Sequence, residues 1–403
     1  ELKLLYVSPE RINNDRFYEF LRSIDLSFFA IDEAHCVSMW GNDFRSDYVE
    51  LKKLKSEFPD IPVLALTATA DAATREDIVK QLAIPESKLF LGSFERHNIY
   101  LRSMPAKDRV KYITRFIFNQ QQGSGIIYCL SRKGTESMAA KLQAAGINAG
   151  FYHAGMNRDD RSRVQRNFQN DQLQVICATI AFGMGIDKPN IRFVVHYNMP
   201  KNIESYYQEI GRAGRDGYES ATVLFSNYND YLQLKSFIDA SEASATFKQV
   251  QNAKLDRMWE YASSYECRTN FILNYFGEYR QKPCGRCDNC KQPPRKFDGT
   301  VIAQKALSAV ARSGQQFSMD LIVNTLRGSG SREVIQRGLN KIKTYGAGRD
   351  LAYLDWKSYI TQLINQGALM VDFSQQNAIK LTPFSKEILK AQQKVELVEF
   401  TLD

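Results

Sequence analysis

The chain has 403 residues, seven cysteines and a formal net charge of +8. Its length exceeds what one hydrophobic core usually covers, so we expect about two to four domains. The positive charge favours a polyanionic partner such as nucleic acid, because Lys and Arg displace counterions from phosphates. Charge alone does not establish such a partner.

The cysteines and the hydropathy pattern indicate a cytoplasmic protein with no membrane partner. No apolar run approaches the roughly 20 residues that a membrane-spanning helix needs, and the N-terminus lacks a basic-then-apolar signal pattern. Three cysteines stand singly in apolar stretches, and four gather between Cys267 and Cys290. This arrangement excludes a disulfide framework and is typical of a reducing compartment.

Short apolar runs alternate with segments of helical period over residues 1–225, which predicts an α/β architecture with parallel strands buried on both faces. Functional residues of such sheets usually follow the carboxyl ends of the strands. Two blocks of this kind are expected. Their strands are predicted near Leu4–Val7, Leu26–Ile31, Val63–Leu66, Gly125–Cys129, Val175–Ala178 and Phe193–Tyr197.

The rest of the chain is helical from about residue 228, passes through the cysteine cluster, and reaches a Pro-Pro-Arg-Lys linker at 293–296. Three helical stretches then precede a predicted hairpin of Ala368–Phe373 and Ala378–Thr382, a pattern typical of a winged helix. The predicted domains are residues 1–97, 98–227, 228–296 and 297–403.

Two adjacent carboxylates follow a predicted buried strand in the sequence Asp32-Glu33-Ala34-His35. At a sheet edge, Asp32 could hold Mg²⁺ directly or through water, and Glu33 could orient and deprotonate a water that attacks a γ-phosphate. The alternative interpretation is a solvated strand end, because acidic pairs after strands are common.

The segment from Asp32 to Arg45 resembles the second motif and the aromatic-rich loop of RecQ helicases. Later segments resemble the third to sixth motifs of superfamily 2 helicases in the expected order, and the resemblance covers essentially the whole chain. These segments are Leu66–Ala70, Ile126–Arg132, Ala178–Lys188 and Gln208–Gly217. The resemblance implies two RecA-like lobes, the first incomplete, then a zinc subdomain and a winged helix, in an ATP-dependent 3′–5′ DNA helicase of recombination and repair.

The resemblance also implies a catalytic set and a set of residues that contact Mg²⁺ and ATP. Arg212 and Arg215 would share one face if they were helical, and a guanidinium fork suits the charge that develops on a transferred phosphate. We assign Arg215 as the arginine finger; the alternative is that both arginines are surface charges. The catalytic set is Asp32, Glu33, His35, Gln208, Arg212 and Arg215, and the nucleotide set is Asp32, Arg212 and Arg215.

Candidate DNA contacts lie in both blocks and in the last domain. Trp40, Phe44 and Arg45 could stack bases and report DNA to the acidic pair, although Trp40 could instead be a core residue. The fourth and fifth motifs contribute Ser131, Arg132 and Thr179. Lys341, Lys343 and Arg349 surround Tyr345-Gly-Ala-Gly348 and could bind duplex phosphates, with a solvated helix face as the alternative.

Cys267, Cys284, Cys287 and Cys290 supply four thiolates for a tetrahedral metal ion. Four sulfurs leave no open position for a substrate, so the expected metal is a structural Zn²⁺. An iron–sulfur cluster is the alternative, and the resemblance favours zinc.

The chain contains no Gly-x-x-x-x-Gly-Lys-[Ser/Thr] sequence, the loop that cradles nucleotide phosphates. The resemblance places that loop in a preceding segment, so we expect these 403 residues to be a piece of a longer protein and to lack ATPase activity alone. The expected partners are DNA, as 3′-tailed duplexes, forks and single strands, and a single-stranded-DNA-binding protein. We expect the protein itself to be a monomer. The alternatives are a non-enzymatic DNA-binding or strand-annealing module and a zinc-containing transcription regulator.

Overall fold

The computed structural model describes residues 3–38, 45–85, 88–120, 123–183, 186–280 and 282–399. Internal contacts divide the chain into two compact units, Glu1–Ser93 and Phe94–Asp403. Among the described residues, no helix is both long enough and apolar enough to cross a membrane.

The first unit contains a short parallel sheet of β1 and β2, in which Ile31 is paired with Ala65. Its core includes Leu21, Ile31 and Leu54. The elements are α1 (Pro9–Ile12), α2 (Asp15–Arg22), β1 (Phe29–Ile31), α3 (Ser46–Val49), α4 (Lys53–Glu57), β2 (Val63–Ala65) and α5 (Ala72–Gln81), with 3₁₀ turns at Ala34–Val37 and Glu50–Lys52.

The predicted strand near Leu4–Val7 is wrong. These residues form no strand, and Leu4 and Tyr6 are 66% and 92% exposed. An apolar run becomes a strand only when another strand satisfies its backbone hydrogen bonds. No described residue pairs with this run.

The second unit contains a six-stranded parallel sheet in the order β3-β8-β7-β4-β6-β5, which confirms the predicted α/β architecture. Neighbouring strand residues such as Ile126 and Ile127 enter cores on opposite faces of the sheet, as do Val194 and Val195. The elements are β3 (Ile99–Pro105), α6 (Arg109–Phe118), β4 (Ser124–Tyr128), α7 (Arg132–Ala144), β5 (Ala149–Tyr152), α8 (Arg158–Gln169), β6 (Val175–Ala178), β7 (Ile191–His196), α9 (Ile203–Ile210) and β8 (Ser220–Ser226).

The helices that surround the cysteine cluster pack on one face of this sheet. Leu255, Tyr261 and Phe271 are fully buried and belong to the same core as Ile126 and Val194. The helices are α10 (Tyr228–Ala240), α11 (Ala245–Ser263), α12 (Arg268–Tyr275) and α13 (Asp288–Lys291). The cysteine segment and the sheet therefore share one hydrophobic core.

The C-terminal part has its own core, centred on Trp356, Leu307 and Ile360. The predicted hairpin is present: β10 and β11 are antiparallel, with Asp372 paired with Ala378. The elements are β9 (Phe297–Asp298), α14 (Thr300–Arg312), α15 (Met319–Leu326), α16 (Arg332–Gln336), α17 (Tyr353–Asn365), β10 (Leu369–Asp372), β11 (Ala378–Leu381), α18 (Pro383–Leu389) and β12 (Glu396–Leu397), with β9 paired to β12.

Candidate functional site

The acidic pair follows β1 directly. Glu33 has a left-handed backbone, with φ 49° and ψ 42°, and its N–H donates to Asp32 Oδ1 at 2.8 Å. The Asp32 residue is exposed, whereas Ala34 to Ser38 are buried. The turn therefore presents one carboxylate at the end of the strand and then leads the chain back into the core.

His35 joins this turn to the residues that follow β2. Its Nδ1 lies 3.0 Å from Thr67 Oγ1 and 3.3 Å from Glu33 Oε2, and the ring is buried. The Ala34 N–H also donates to Leu66 O at 2.9 Å. The structure thus brings the second and third motifs together at the carboxyl edge of β1 and β2.

Thr67 was not singled out from the sequence, although it lies within the segment that resembles the third motif. The signal that could have identified it is its position immediately after Leu66, at the end of a strand parallel to β1. Residues that follow adjacent parallel strands meet at one edge of the sheet.

The predicted aromatic loop falls largely outside the described residues, since Trp40 and Phe44 lie in the undescribed segment 39–44. Arg45 is described, and its N–H donates to Cys36 O at 3.1 Å. Arg45 then precedes the first residue of α3.

Gln208 lies in α9, but Arg212 and Arg215 lie in the turn that follows the helix. The helix ends at Ile210, and Gly214 has φ +58°, a conformation that glycine adopts without strain. The two arginines therefore lie in a turn, and the condition under which they would share a helical face is not met. Glycine residues within this segment explain why helical spacing does not apply.

The two arginines have different environments. Arg212 is buried, and its Nε has no hydrogen-bond partner among the described residues. Arg215 exposes 40% of its side chain, and its Nη1 donates to Ile186 O at 3.2 Å and to Asp187 Oδ1 at 3.1 Å. Arg215 thus contacts the segment that resembles the fifth motif, and Arg212 keeps a buried donor available.

The candidate DNA contacts of the fourth and fifth motifs follow neighbouring strands. Ser131 and Arg132 come after β4, and Thr179 comes after β6, which pairs with β4 in parallel. Ser131 Oγ accepts a hydrogen bond from the Gly134 N–H at 3.0 Å and so caps α7. Arg132 is exposed. The structure therefore places these three residues at one edge of the sheet.

The basic segment of the last domain lies between α16 and α17. Lys341 ends a short 3₁₀ helix, and Lys343 and Arg349 lie in turns, all with exposed side chains. These residues lie outside the α-helices and are exposed to solvent, so the DNA contact and the alternative of a solvated surface both stay predictions.

The four clustered cysteines form a closed set of metal ligands. Their Sγ atoms all lie within 4.8 Å of one another. The Cys284 N–H donates to Cys267 Sγ at 3.2 Å, and the Arg268 N–H lies 3.4 Å from Cys287 Sγ. Hydrogen bonds from the neighbouring thiols of Cys267 and Cys287 lower the pKa of Cys284. Four sulfurs at this spacing fit a tetrahedral ion with no open position.

Three family models match the second unit in sequence order. The helicase conserved C-terminal domain covers residues 108–217, the RecQ zinc-binding domain covers 228–291, and the RQC domain covers 293–402. The ATP-dependent DNA helicase RecQ of Bacillus subtilis is 38% identical over 402 residues, 96% of this chain and 68% of that protein. The chain belongs to the RecQ family. The RecQ helicase of Haemophilus influenzae is 45% identical over 398 residues.

The alignment with the Haemophilus influenzae protein covers 98% of this RecQ chain but 64% of that protein. The chain therefore spans less than two thirds of that relative's length. Among solved structures, S. cerevisiae Dbp5 bound to RNA and ADP BeF3 superposes loosely, with a TM-score of 0.43 and 20% identity over 60% of this chain and 67% of that one.

The RecQ zinc-binding match covers Cys267, Cys284 and Cys287 as well as Cys290. Together with the geometry of the four Sγ atoms, this match confirms the prediction of a structural Zn²⁺. The ion would be held by these four thiolates, and its binding energy would stabilise the fold of the segment.

Proposed function

We propose that this RecQ chain is part of an ATP-dependent DNA helicase that moves 3′ to 5′ and acts in recombination and repair. The observation that most directly supports the proposal is the Asp32–Glu33 turn, which His35 joins to Thr67 at 3.0 Å. A strained acidic turn at the carboxyl edge of parallel strands suits phosphoryl transfer better than a purely structural role.

In this proposal, Asp32 would hold Mg²⁺ directly or through water, and Glu33 would orient the attacking water and take its proton. ATP, when bound, would supply the γ-phosphate that is transferred to water, and Mg²⁺ would offset the negative charge of the phosphates. His35 would orient the Glu33 carboxylate, since Glu33 Oε2 lies 3.3 Å from His35 Nδ1, and Thr67 would hold the His35 ring. Gln208 is included in the catalytic set because it begins the segment that resembles the sixth motif.

The arginines would act on the negative charge of the γ-phosphate. A guanidinium stabilises the charge that rises on the phosphate oxygens in the transition state. Arg212 has a buried Nε without a partner among the described residues, which supports a ligand-binding role. We assign Arg215 as the arginine finger. Its side chain would leave the contact with Asp187 in order to reach the phosphate.

The proposed DNA ligands are 3′-tailed duplexes, forks and single strands. Single strands would contact Trp40, Phe44 and Arg45 and the sheet edge that carries Ser131, Arg132 and Thr179. Duplex phosphates would contact Lys341, Lys343 and Arg349, which are exposed. We further propose a monomer in the cytoplasm that cooperates with a single-stranded-DNA-binding protein.

The test compares DNA-stimulated ATP hydrolysis by these 403 residues with that of the same chain extended at its N-terminus by its native gene sequence. We propose that the 403 residues alone do not hydrolyse ATP, because they contain no Gly-x-x-x-x-Gly-Lys-[Ser/Thr] sequence. Turnover only in the extended protein is the expected result. Inactivity of both proteins, with DNA binding retained, would favour a DNA-binding or strand-annealing module instead.

A further inference from the structure

The turn of residues 211–217, called the arginine turn below, is held by an arginine from a distant part of the sequence. Arg96 Nη1 donates to Gly211 O at 3.2 Å, and Nη2 donates to Ala213 O at 2.9 Å and to Gly214 O at 3.1 Å. One guanidinium thus binds three backbone carbonyls on the two sides of Arg212. These carbonyls lie beyond Ile210, the last residue of α9, where no further turn of helix supplies partners for them.

A second side chain from the same segment holds the other end of the arginine turn. Asn98 Nδ2 donates to Gly214 O at 2.7 Å and to Tyr218 O at 2.9 Å. A Cβ on Gly214 would lie 2.4 Å from Asn98 Nδ2, so this close approach requires glycine. Arg96 and Asn98 together fix the backbone on which Arg212 and Arg215 are carried.

Arg96 is itself anchored by the zinc-binding segment. Arg286, which lies between Cys284 and Cys287, donates from Nη2 to Arg96 O at 3.3 Å. The same guanidinium pairs with Glu95 at 3.0 Å, and Arg280 also pairs with Glu95. A continuous series of contacts therefore runs from the zinc ligands through residues 95 and 96 to the arginine turn.

We infer that Arg96 is a positioning residue for ATP hydrolysis, which holds the arginine turn so that Arg212 and Arg215 are oriented for the phosphate, and that the zinc-binding segment fixes Arg96 through Arg286. The inference rests on the proposed ATPase function. Arg96 would not touch the nucleotide. It acts only through the backbone of the arginine turn.

The chemistry of the contact explains why an arginine is needed. A guanidinium offers several N–H groups in a fixed planar arrangement, so it can bind three carbonyls at once. A lysine at position 96 would keep the positive charge but could not reproduce this arrangement. Small displacements of catalytic groups, near 1 Å, lower rates by about 100-fold. Loss of Arg96 should therefore lower kcat more than it weakens nucleotide binding.

The test uses the N-terminally extended protein with the variants Arg96→Ala and Arg96→Lys. We expect kcat for DNA-stimulated ATP hydrolysis to fall about 10- to 100-fold in both variants, with KM for ATP within about twofold of wild type. Hydrogen exchange of residues 211–217 should be faster, while the zinc content stays unchanged. The matched control is Arg102→Lys, an arginine of β3 whose Nη1 contacts Tyr112 Oη and not the arginine turn.

The variant Arg286→Gln tests the zinc-side anchor. It should lower kcat several-fold, and the Arg96→Ala Arg286→Gln double variant should be no slower than Arg96→Ala, because both changes act along one route. If Arg96→Ala has a lower Tm than wild type or loses zinc, the kcat of Arg96→Lys decides whether Arg96 is a positioning residue.

An active wild type with unchanged kcat in Arg96→Lys and Arg96→Ala would overturn the positioning role. A proportional rise in KM without a fall in kcat would overturn it as well. A wild-type extended protein without ATP turnover would instead contradict the proposed function.

Discussion

Glu33 shows how single residues make this site. Its left-handed backbone costs on the order of 1 to 3 kcal/mol for a residue other than glycine. That cost is offset by the buried turn behind it, where the Ala34 N–H and the His35 ring bind the residues that follow β2. The strain persists because the core below the turn determines the path of the chain.

Arg215 provides the first prediction at the residue scale. Arg215→Ala in the extended protein should lower ATP turnover at least about 1,000-fold, because an arginine finger stabilises charge that appears only in the transition state. DNA affinity should stay within about twofold of wild type, since Arg215 is not one of the proposed DNA contacts. Steady-state ATPase assays and fluorescence anisotropy with single-stranded DNA measure the two effects.

The control for this variant is Arg166→Ala, an arginine of α8 whose Nε contacts Ser162 O on its own helix. Arg166→Ala should retain wild-type turnover. Normal turnover in Arg215→Ala together with weakened DNA binding would show that Arg215 belongs to the DNA interface instead.

The sequence predicted some elements more easily than others, and the differences have physical causes. The strands β4, β6 and β7 were predicted because runs buried on both faces are continuously apolar. The two-residue strands β9 and β12 have no such signal, since their pairing joins Phe297 to Leu397 across 100 residues. The contact between His35 and Thr67 is likewise set by the parallel pairing of β1 and β2, which is not visible in either segment alone.

At the scale of elements, the cysteine segment is joined to the sheet as well as to its metal. Asp288 accepts hydrogen bonds from the Ser103 N–H of the edge strand β3 at 2.8 Å and pairs with Arg268 of α12. Tyr261 and Phe271 enter the core of the sheet. Folding of the zinc site should therefore affect the stability of the sheet.

We predict that Cys287→Ala in the 403-residue chain lowers the zinc content well below about one ion per chain and lowers Tm by several degrees, because a three-thiolate site binds zinc more weakly. Metal analysis and thermal denaturation check this result. Cys177→Ala is the control for metal content, since Cys177 is a buried cysteine outside the cluster. A Cys287→Ala protein with full zinc content and wild-type Tm would contradict the assignment of this ligand.

The basic segment between α16 and α17 gives a further prediction. The double variant Lys341→Ala Lys343→Ala should weaken duplex binding to a similar extent for all sequences and reduce the salt slope by about one per lysine. Titrations at several salt concentrations measure both quantities. Lys394→Ala is the control, because Lys394 is an exposed lysine of the same domain that lies near Asp298. Unchanged slopes in the double variant would exclude these lysines from the DNA interface.

At the scale of the whole molecule, the proposed acidic catalytic residues and the proposed catalytic arginines lie in different units. Asp32, Glu33 and Thr67 lie in Glu1–Ser93, whereas Arg212 and Arg215 and the zinc ligands lie in Phe94–Asp403. The sequence assigned the motif residues to two blocks from motif order, and the boundary near residue 97 stays a prediction, whereas the contacts divide the chain after Ser93. The sequence could not predict that Arg96 holds the arginine turn, because Arg96 matches no motif and its partners lie more than 100 residues away.

We propose that the intact protein is a 3′–5′ DNA helicase driven by ATP hydrolysis at Asp32 and Glu33. The most direct test measures unwinding of 3′-tailed and 5′-tailed duplexes by the N-terminally extended protein and its Glu33→Gln variant, with ATP present. We predict that the wild type unwinds only the 3′-tailed duplex and that Glu33→Gln unwinds neither while still binding both ATP and DNA. Unwinding that persists in Glu33→Gln, or that proceeds from 5′ tails, would contradict this proposed function.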